Sequence, residues 1–187
     1  MKVTKEKIVN GVDVEKLREN IGAIKENPAL GKFKFRAKNR WIKAGHNHTT
    51  IKDFFGLQKD LVHEKPFELD AGEHQVLLSE DEGPNPVEYL LTGIAGCLTS
   101  ALVYHAAAKG IEVKGVESRL EGDIDLRGFL GISPDVKVGY EGIRVYFKID
   151  ADISDEQKEE LIQMAQKFSP VYNSVTSGTP VAVQLEK

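Results

Sequence analysis

One side chain in this sequence can act as a soft nucleophile, and it occurs once: Cys97. A thiolate attacks electrophiles only where a neighbouring cation holds it deprotonated. From Tyr89 to Ala108 there is no Asp, Glu, Lys or Arg, so the stretch around Cys97 supplies no such charge. The cation must arrive from elsewhere, from Arg36, Arg40, Arg119 or Arg144 in strand-like stretches or from Arg127 in a loop. Spacing alone selects none of them. Without that cation a mid-helix cysteine is an inert small apolar residue. His105 stands eight residues on, about 12 Å along a helix axis, too far for a direct Cys–His couple. His46 and His48 fall on one side of an extended chain, but no third ligand lies near them in sequence. A solvated turn is expected there rather than a metal pair. The glycines match neither a phosphate loop nor a dinucleotide fingerprint, and no cofactor is expected.

The element that must position Cys97 is a helix over residues 86–109. Asn85 is a suitable N-cap and Pro86 a suitable first residue. Glu88, three residues after Asn85, can reach back to the cap amide as in a capping box. Gly110 suits a left-handed stop. A charge-free run of this length passes for a membrane span. Gly93, Gly96, Thr92, Thr99, Ser100 and His105 make it only moderately apolar, however, and Glu80, Asp81 and Glu82 crowd its entry. A helix apolar on every side and surrounded by protein is the expectation. One chain of this size has little left to cover its second face, so a homodimer built over these helices is expected.

Around that helix the pattern is of grouped strands. Residues 33–42 and 49–55 alternate and form a hairpin about a turn at 43–47. Residues 56–66 read as a polar loop, and 67–70 and 75–78 as weaker strands. After the helix, residues 113–126 read as a strand with a bulge at Gly122, 127–133 as a loop and 143–149 as a strand. Ser154 and Gln157 form a capping box for a second helix that ends near Phe168. Ser169-Pro170 opens a short helix that Gly178 ends, and 180–185 read as a last strand. Before all this, Asn10-Gly11 marks a turn. Val14, Leu17, Ile21 and Ile24 recur at helical spacing between Asp13 as cap and Asn27-Pro28 as stop. The expected division is an N-terminal helical extension and linker over 1–32 and a main domain over 33–187. Strands in groups favour an α+β fold, an antiparallel sheet wrapped on two central helices.

The chain has 187 residues and a formal net charge of −4. With a pI near 5.8, this argues against nucleic acid or an anionic membrane as partner. A single cysteine excludes an internal disulfide framework. Lys2, Lys5 and Lys7 precede no apolar stretch, so no signal peptide is read and a cytoplasmic location is expected.

Asn85-Pro86-Val87-Glu88-Tyr89-Leu90-Leu91 followed by Gly96-Cys97-Leu98 resembles the OsmC/Ohr family of peroxide-reducing proteins. So do Asp125-Leu126-Arg127-Gly128-Phe129-Leu130-Gly131 and Ser169-Pro170-Val171-Tyr172-Asn173. The resemblance covers residues 33–187. It implies an intertwined homodimer in which Cys97 attacks the O–O bond of a hydroperoxide and becomes a sulfenic acid. A second cysteine then closes a disulfide, and an external dithiol reduces it. An arginine and a glutamate hold the first thiol reactive.

This chain departs from that pattern. Ser169 stands at the resolving position. Val87 follows Asn-Pro where the family has its glutamate, and Glu88 falls one residue late, better placed to cap the helix. No arginine lies in 79–84; one from the first hairpin, Arg36 or Arg40, could substitute. Cys97, Glu88 and Arg40 are therefore the candidate catalytic set. The expected activity is a one-cysteine hydroperoxide reductase resolved by an external thiol. The alternative is a non-catalytic protein that holds a small apolar ligand in a pocket at the dimer interface.

Overall fold

The computed structural model describes residues 8–186; Lys2, Lys5 and Lys7, read above for a targeting signal, lie outside them. The chain divides into two compact units. One spans Asp13–Leu90; the other combines Ile8–Val12 with the chain from Leu91 onward.

In the first unit, helix α1 (Val14–Glu26) starts on Asp13, whose side chain accepts from the Lys16 amide. Strands β3 (Lys34–Phe35), β4 (Lys38–Lys43), β5 (His46–Gly56) and β6 (Lys59–Ala71) form one antiparallel sheet with β5 at its centre. The single strand expected over 33–42 is broken at Arg36-Ala37, between β3 and β4. The polar loop expected over 56–66 is not a loop. Leu57 and Gln58 make a two-residue turn with φ of 50° and 62°, and β6 runs back along β5 from Lys59. Positive φ at both turn residues matches the twist of a hairpin, although Asn-Gly usually supplies it. Residues Gln75–Leu77 form a 3₁₀ turn rather than a strand.

The β4–β5–β6 register sorts the sheet into two faces, because side chains alternate. Arg40, His48 and Asp70 lie in line on one face, with Lys38, Thr50 and Glu68 beside them. Trp41, Asn47, Ile51 and Phe67 lie on the other. There Phe33, Phe35, Phe54, His63 and Phe67 form a continuous run of ring contacts, with centroids 5.1–6.4 Å apart. Much of this aromatic face is bare: Phe35 is 76% exposed and Trp41 72%.

The second unit holds most of the buried core. Strands β1 (Ile8–Val9) and the start of β2 (Val12–Asp13) flank the Asn10-Gly11 turn. The Asn10 side chain donates to Ile111 O at 3.0 Å and accepts from Val113 N at 2.8 Å. Helix α2 (Pro86–Lys109) has the bounds expected, and Gly110 ends it at φ 75°. The Ile111 amide returns to Ala106 O at 2.9 Å, closing the left-handed stop. Strands β7 (Gly115–Asp123) and β8 (Gly142–Asp150) pair antiparallel without a register break, so the bulge expected at Gly122 is absent. Gly122 instead makes room for the Tyr140 ring, which a Cβ would meet at 2.6 Å. The loop expected from Arg127 begins inside a single helical turn, α3 (Leu126–Phe129), capped by Asp125.

Helix α4 (Asp155–Phe168) carries the expected Ser154/Gln157 capping box, and α5 (Pro170–Ser177) starts on Ser169. Ile94, Leu98, Leu102 and Ala106 of α2, Leu161 and Ala165 of α4, and Ile149 of β8 form one buried cluster. Spacing of four residues puts the α2 members on one stripe. Residues 180–185 form no strand, with Val181 83% and Val183 91% exposed. Alternation alone does not make a strand; it needs a neighbour to take its hydrogen bonds.

Candidate functional site

Cys97 is a free, half-buried thiol at the middle of α2, flanked in sequence by the fully packed Leu98. Gly93 lies one turn before it on the same side of the helix. There α5 comes close: Val171 Cγ1 is 3.8 Å from where a Gly93 Cβ would stand. Ser169, expected from the resemblance at the resolving position, opens α5. It has no solvent exposure. Its Oγ accepts from Tyr172 N at 3.2 Å and its amide donates to Ala165 O at 2.9 Å. The serine is thus bound into a helix start and offers no sulfur chemistry.

Glu88 acts at the entry of α2. Its carboxylate accepts from the Asn85 amide at 2.8 Å, while Asn85 Oδ1 accepts from Val87 N at 3.1 Å. This is the reciprocal cap expected from the spacing. Asn85 Nδ2 in turn donates to Glu73, two residues beyond the end of β6. The His105 ring lies against Phe168, tilted by 32° with centroids 4.6 Å apart, and burial, with Lys109 as a lesser cause, pushes its pKa down.

The arginines are mostly committed. In the unit that holds Cys97, Arg119 pairs with Glu121 at 2.6 Å, Arg127 with Asp125 at 2.5 Å, and Arg144 with both Glu121 (2.9 Å) and Asp123 (2.5 Å). In the other unit Arg36 joins Asp53 and Asp60 at 2.7 and 2.9 Å. Arg40 lies on β4 opposite His48, and its positive charge helps to lower the Glu68 pKa. Arg40 and Cys97 belong to different units.

Two features were not anticipated from the sequence. His46 and His48 are not in a solvated turn. They begin β5, and their rings meet carboxylates of β6: His48 bonds Asp70 and Glu68, and His46 bonds Asp70. No group of three or more His, Cys, Asp or Glu among the described residues is arranged to hold a metal ion. The second feature is a cleft of about 310 Å³ in the Cys97 unit. Ile94 of α2, Ile143 and Val145 of β8, and Tyr172 and Val175 of α5 line it, with Lys137 at its edge loop. Only Ile94 lies near Cys97 in sequence, so local pattern gave no sign of this cleft.

The sequence profile of the OsmC-like protein family matches residues 79–184, more than half of the chain. The chain belongs to the OsmC-like family. Solved structures agree in fold. An OsmC-like protein of Mycoplasma pneumoniae is 19% identical, with a TM-score of 0.57 over 78% of this chain and 89% of that one. An OsmC-like protein of unknown function from Vibrio cholerae is 12% identical, with a TM-score of 0.59 over 76% and 94%. An organic hydroperoxide resistance protein OsmC of Legionella pneumophila is 22% identical, with a TM-score of 0.54 over 76% and 89%. At such identities the likeness speaks for the fold alone. No curated protein sequence matches the chain.

Proposed function

We propose that this OsmC-like protein is a one-cysteine, thiol-dependent organic hydroperoxide reductase. The observation that carries the reading is the single free thiol, half-buried at mid-helix in the family's capped helix. The naming of the Legionella pneumophila protein for hydroperoxide resistance is consistent with it. Cys97 attacks as thiolate. Its sulfur takes the distal peroxide oxygen, the O–O bond breaks, and the alkoxide leaves with a proton as an alcohol. Sulfur is oxidised to sulfenic acid and the peroxide is reduced. No second cysteine exists in the chain, so an external thiol condenses with the sulfenic acid, releasing water and leaving a mixed disulfide. A second thiol then frees Cys97 as thiolate and departs in the disulfide.

The working form is a homodimer, and the protein is soluble and cytoplasmic. Two features support the dimer. Thr92, Gly96, Ser100, Tyr104 and Ala108 form an uncovered, charge-free stripe on α2. The aromatic face of the β4–β5–β6 sheet is also uncovered. Although α2 is long and apolar enough to cross a membrane, its Ile94–Ala106 stripe is already core.

The cleft beside Ile94 favours a second reading, a binding protein for a small apolar molecule. One experiment separates the two. The protein and a Cys97→Ala variant are treated with an organic hydroperoxide and a small thiol, and peroxide loss and sulfenic acid are followed. Turnover that vanishes in the variant is the expected result. An intact thiol under peroxide sinks the reductase. If the variant also keeps binding an apolar probe in the cleft, the binding reading takes its place.

A further inference from the structure

One cluster of titratable side chains has no part in that chemistry. It lies on the polar face of the β4–β5–β6 sheet. His48 Nδ1 is 2.9 Å from Asp70 Oδ1, and its Nε2 is 2.8 Å from Glu68 Oε2. A carboxylate only accepts, so both contacts are hydrogen bonds only when both ring nitrogens carry protons. The geometry is therefore that of an imidazolium. His46 Nε2 shares the same Asp70 oxygen at 2.9 Å. Its Nδ1 stands 4.0 Å from Glu82 Oε1, a buried oxygen that has no hydrogen-bond partner among the described residues.

These contacts reach the segment that leads into α2. The second oxygen of Glu82 accepts from Ser79 Oγ at 3.0 Å and Glu80 N at 3.3 Å. Lys43, at the end of β4, is 2.6 Å from Glu80 and 3.8 Å from Glu82. The Asp70 carbonyl accepts from Tyr89 Oη at 2.7 Å, and Gly72 N–H donates to Pro84 O at 3.2 Å. Asp70 thus meets both imidazoles with its side chain and the first turn of α2 with its backbone. The charged groups facing His48 are Asp70 and Glu68 from β6 and Arg40 from β4. Around them lie Lys38 beside Arg40 on β4, His46 and Lys52 on its own strand, and Glu82, Glu80 and Lys43 beyond His46.

We propose that His48, held between Asp70 and Glu68, is a proton-operated latch that fastens β5 to β6 and so holds residues 79–85 at the entry of α2. Loss of its proton leaves one nitrogen lone pair facing a carboxylate. That contact turns from attraction to repulsion, and the segment loosens. The latch operates whether or not Cys97 reacts with peroxide.

The direction in pH follows from the partners. Asp70 first and Glu68 second hold the His48 pKa above its ordinary value. The contribution of the pair is complete below about pH 6.5, the ordinary imidazole value, and is lost as pH rises through the higher folded value. Asp70 is held below the usual carboxylate range by His46 first, then His48. Glu68 is lowered by Thr50 first, then His48. Their contribution is complete above about pH 4 and is lost as pH falls through the depressed values. The latch is closed between about pH 4 and about pH 6.5 and opens as pH rises through the raised His48 value.

The test is a histidine NMR titration of the full chain, with amide hydrogen exchange over residues 59–89 corrected for intrinsic pH dependence. Glu68→Gln and His48→Gln are measured alongside. Expected are a His48 midpoint above the ordinary value and a lower midpoint in Glu68→Gln. Protection of residues 79–85 falls as pH passes the wild-type midpoint, and the fall is absent in His48→Gln. A His48 midpoint at or below the ordinary value overturns the latch, as does a His48→Gln chain that keeps the wild-type fall. Should His48→Gln not fold, Glu68→Gln decides alone: the fall in protection must move to lower pH, and a fall that stays in place overturns the proposal.

Discussion

Inside the second unit, the Ser169 hydroxyl accepts the Tyr172 amide at a position with no solvent exposure. Ser169→Ala leaves that amide without its acceptor, and the loss of a cap of this kind costs about 1 kcal/mol. A urea denaturation series should read that difference; identical midpoints would mean the cap contributes nothing. The role was legible from Ser-Pro, because serine suits an N-cap and proline the position after it. Glu88 was legible in the same way, since capping is a short-range arrangement. His46 and His48 were not. Their partners Glu68 and Asp70 lie more than twenty residues away except for the His48–Glu68 pair at twenty. The hairpin that joins them turns at Leu57-Gln58, which carries neither glycine nor asparagine. The arginines show the same limit: alternation placed them near strands, but only the fold shows which carboxylates claim them.

At the scale of elements, α2 could be delimited from its own residues because its start and stop signals act within a few positions. Which of its stripes is core could not, since the run is apolar all round. The structure selects Ile94, Leu98, Leu102 and Ala106. Leu102 has no exposed surface, so Leu102→Ala should cost about 2–5 kcal/mol through lost burial and the cavity left behind. A drop in the denaturant midpoint at unchanged slope checks this; a change under half a kilocalorie would mean the site collapses around the alanine. Strand β8 was clear because it alternates and pairs locally with β7. Gly122 misled because a glycine in a strand signals either a bulge or a close neighbour, and only the position of Tyr140 distinguishes them.

For the whole molecule the telling surfaces are those left bare. An antiparallel sheet normally packs one face on a core, yet the Phe33–Phe67 aromatic face stays largely open. Contiguous apolar surface of that kind marks an interaction site. The proposed homodimer is one way to cover such surface, and Tyr104, 52% exposed at mid-stripe of α2, is the residue to probe. Tyr104→Glu should shift light-scattering mass from dimer to monomer while circular dichroism stays unchanged. A wild-type chain that is already monomeric ends the dimer reading; a variant that stays dimeric removes α2 from the interface. The bare stripe also carries a geometric consequence. Thr92, Gly96, Ser100, Tyr104 and Ala108 form a single row at intervals of four residues, inclined about 26° to the helix axis. Two such ridges interleave with their axes crossing at about −50°. The glycine and the serine at its middle would let those axes approach to about 8 Å, the short end of helix–helix spacing.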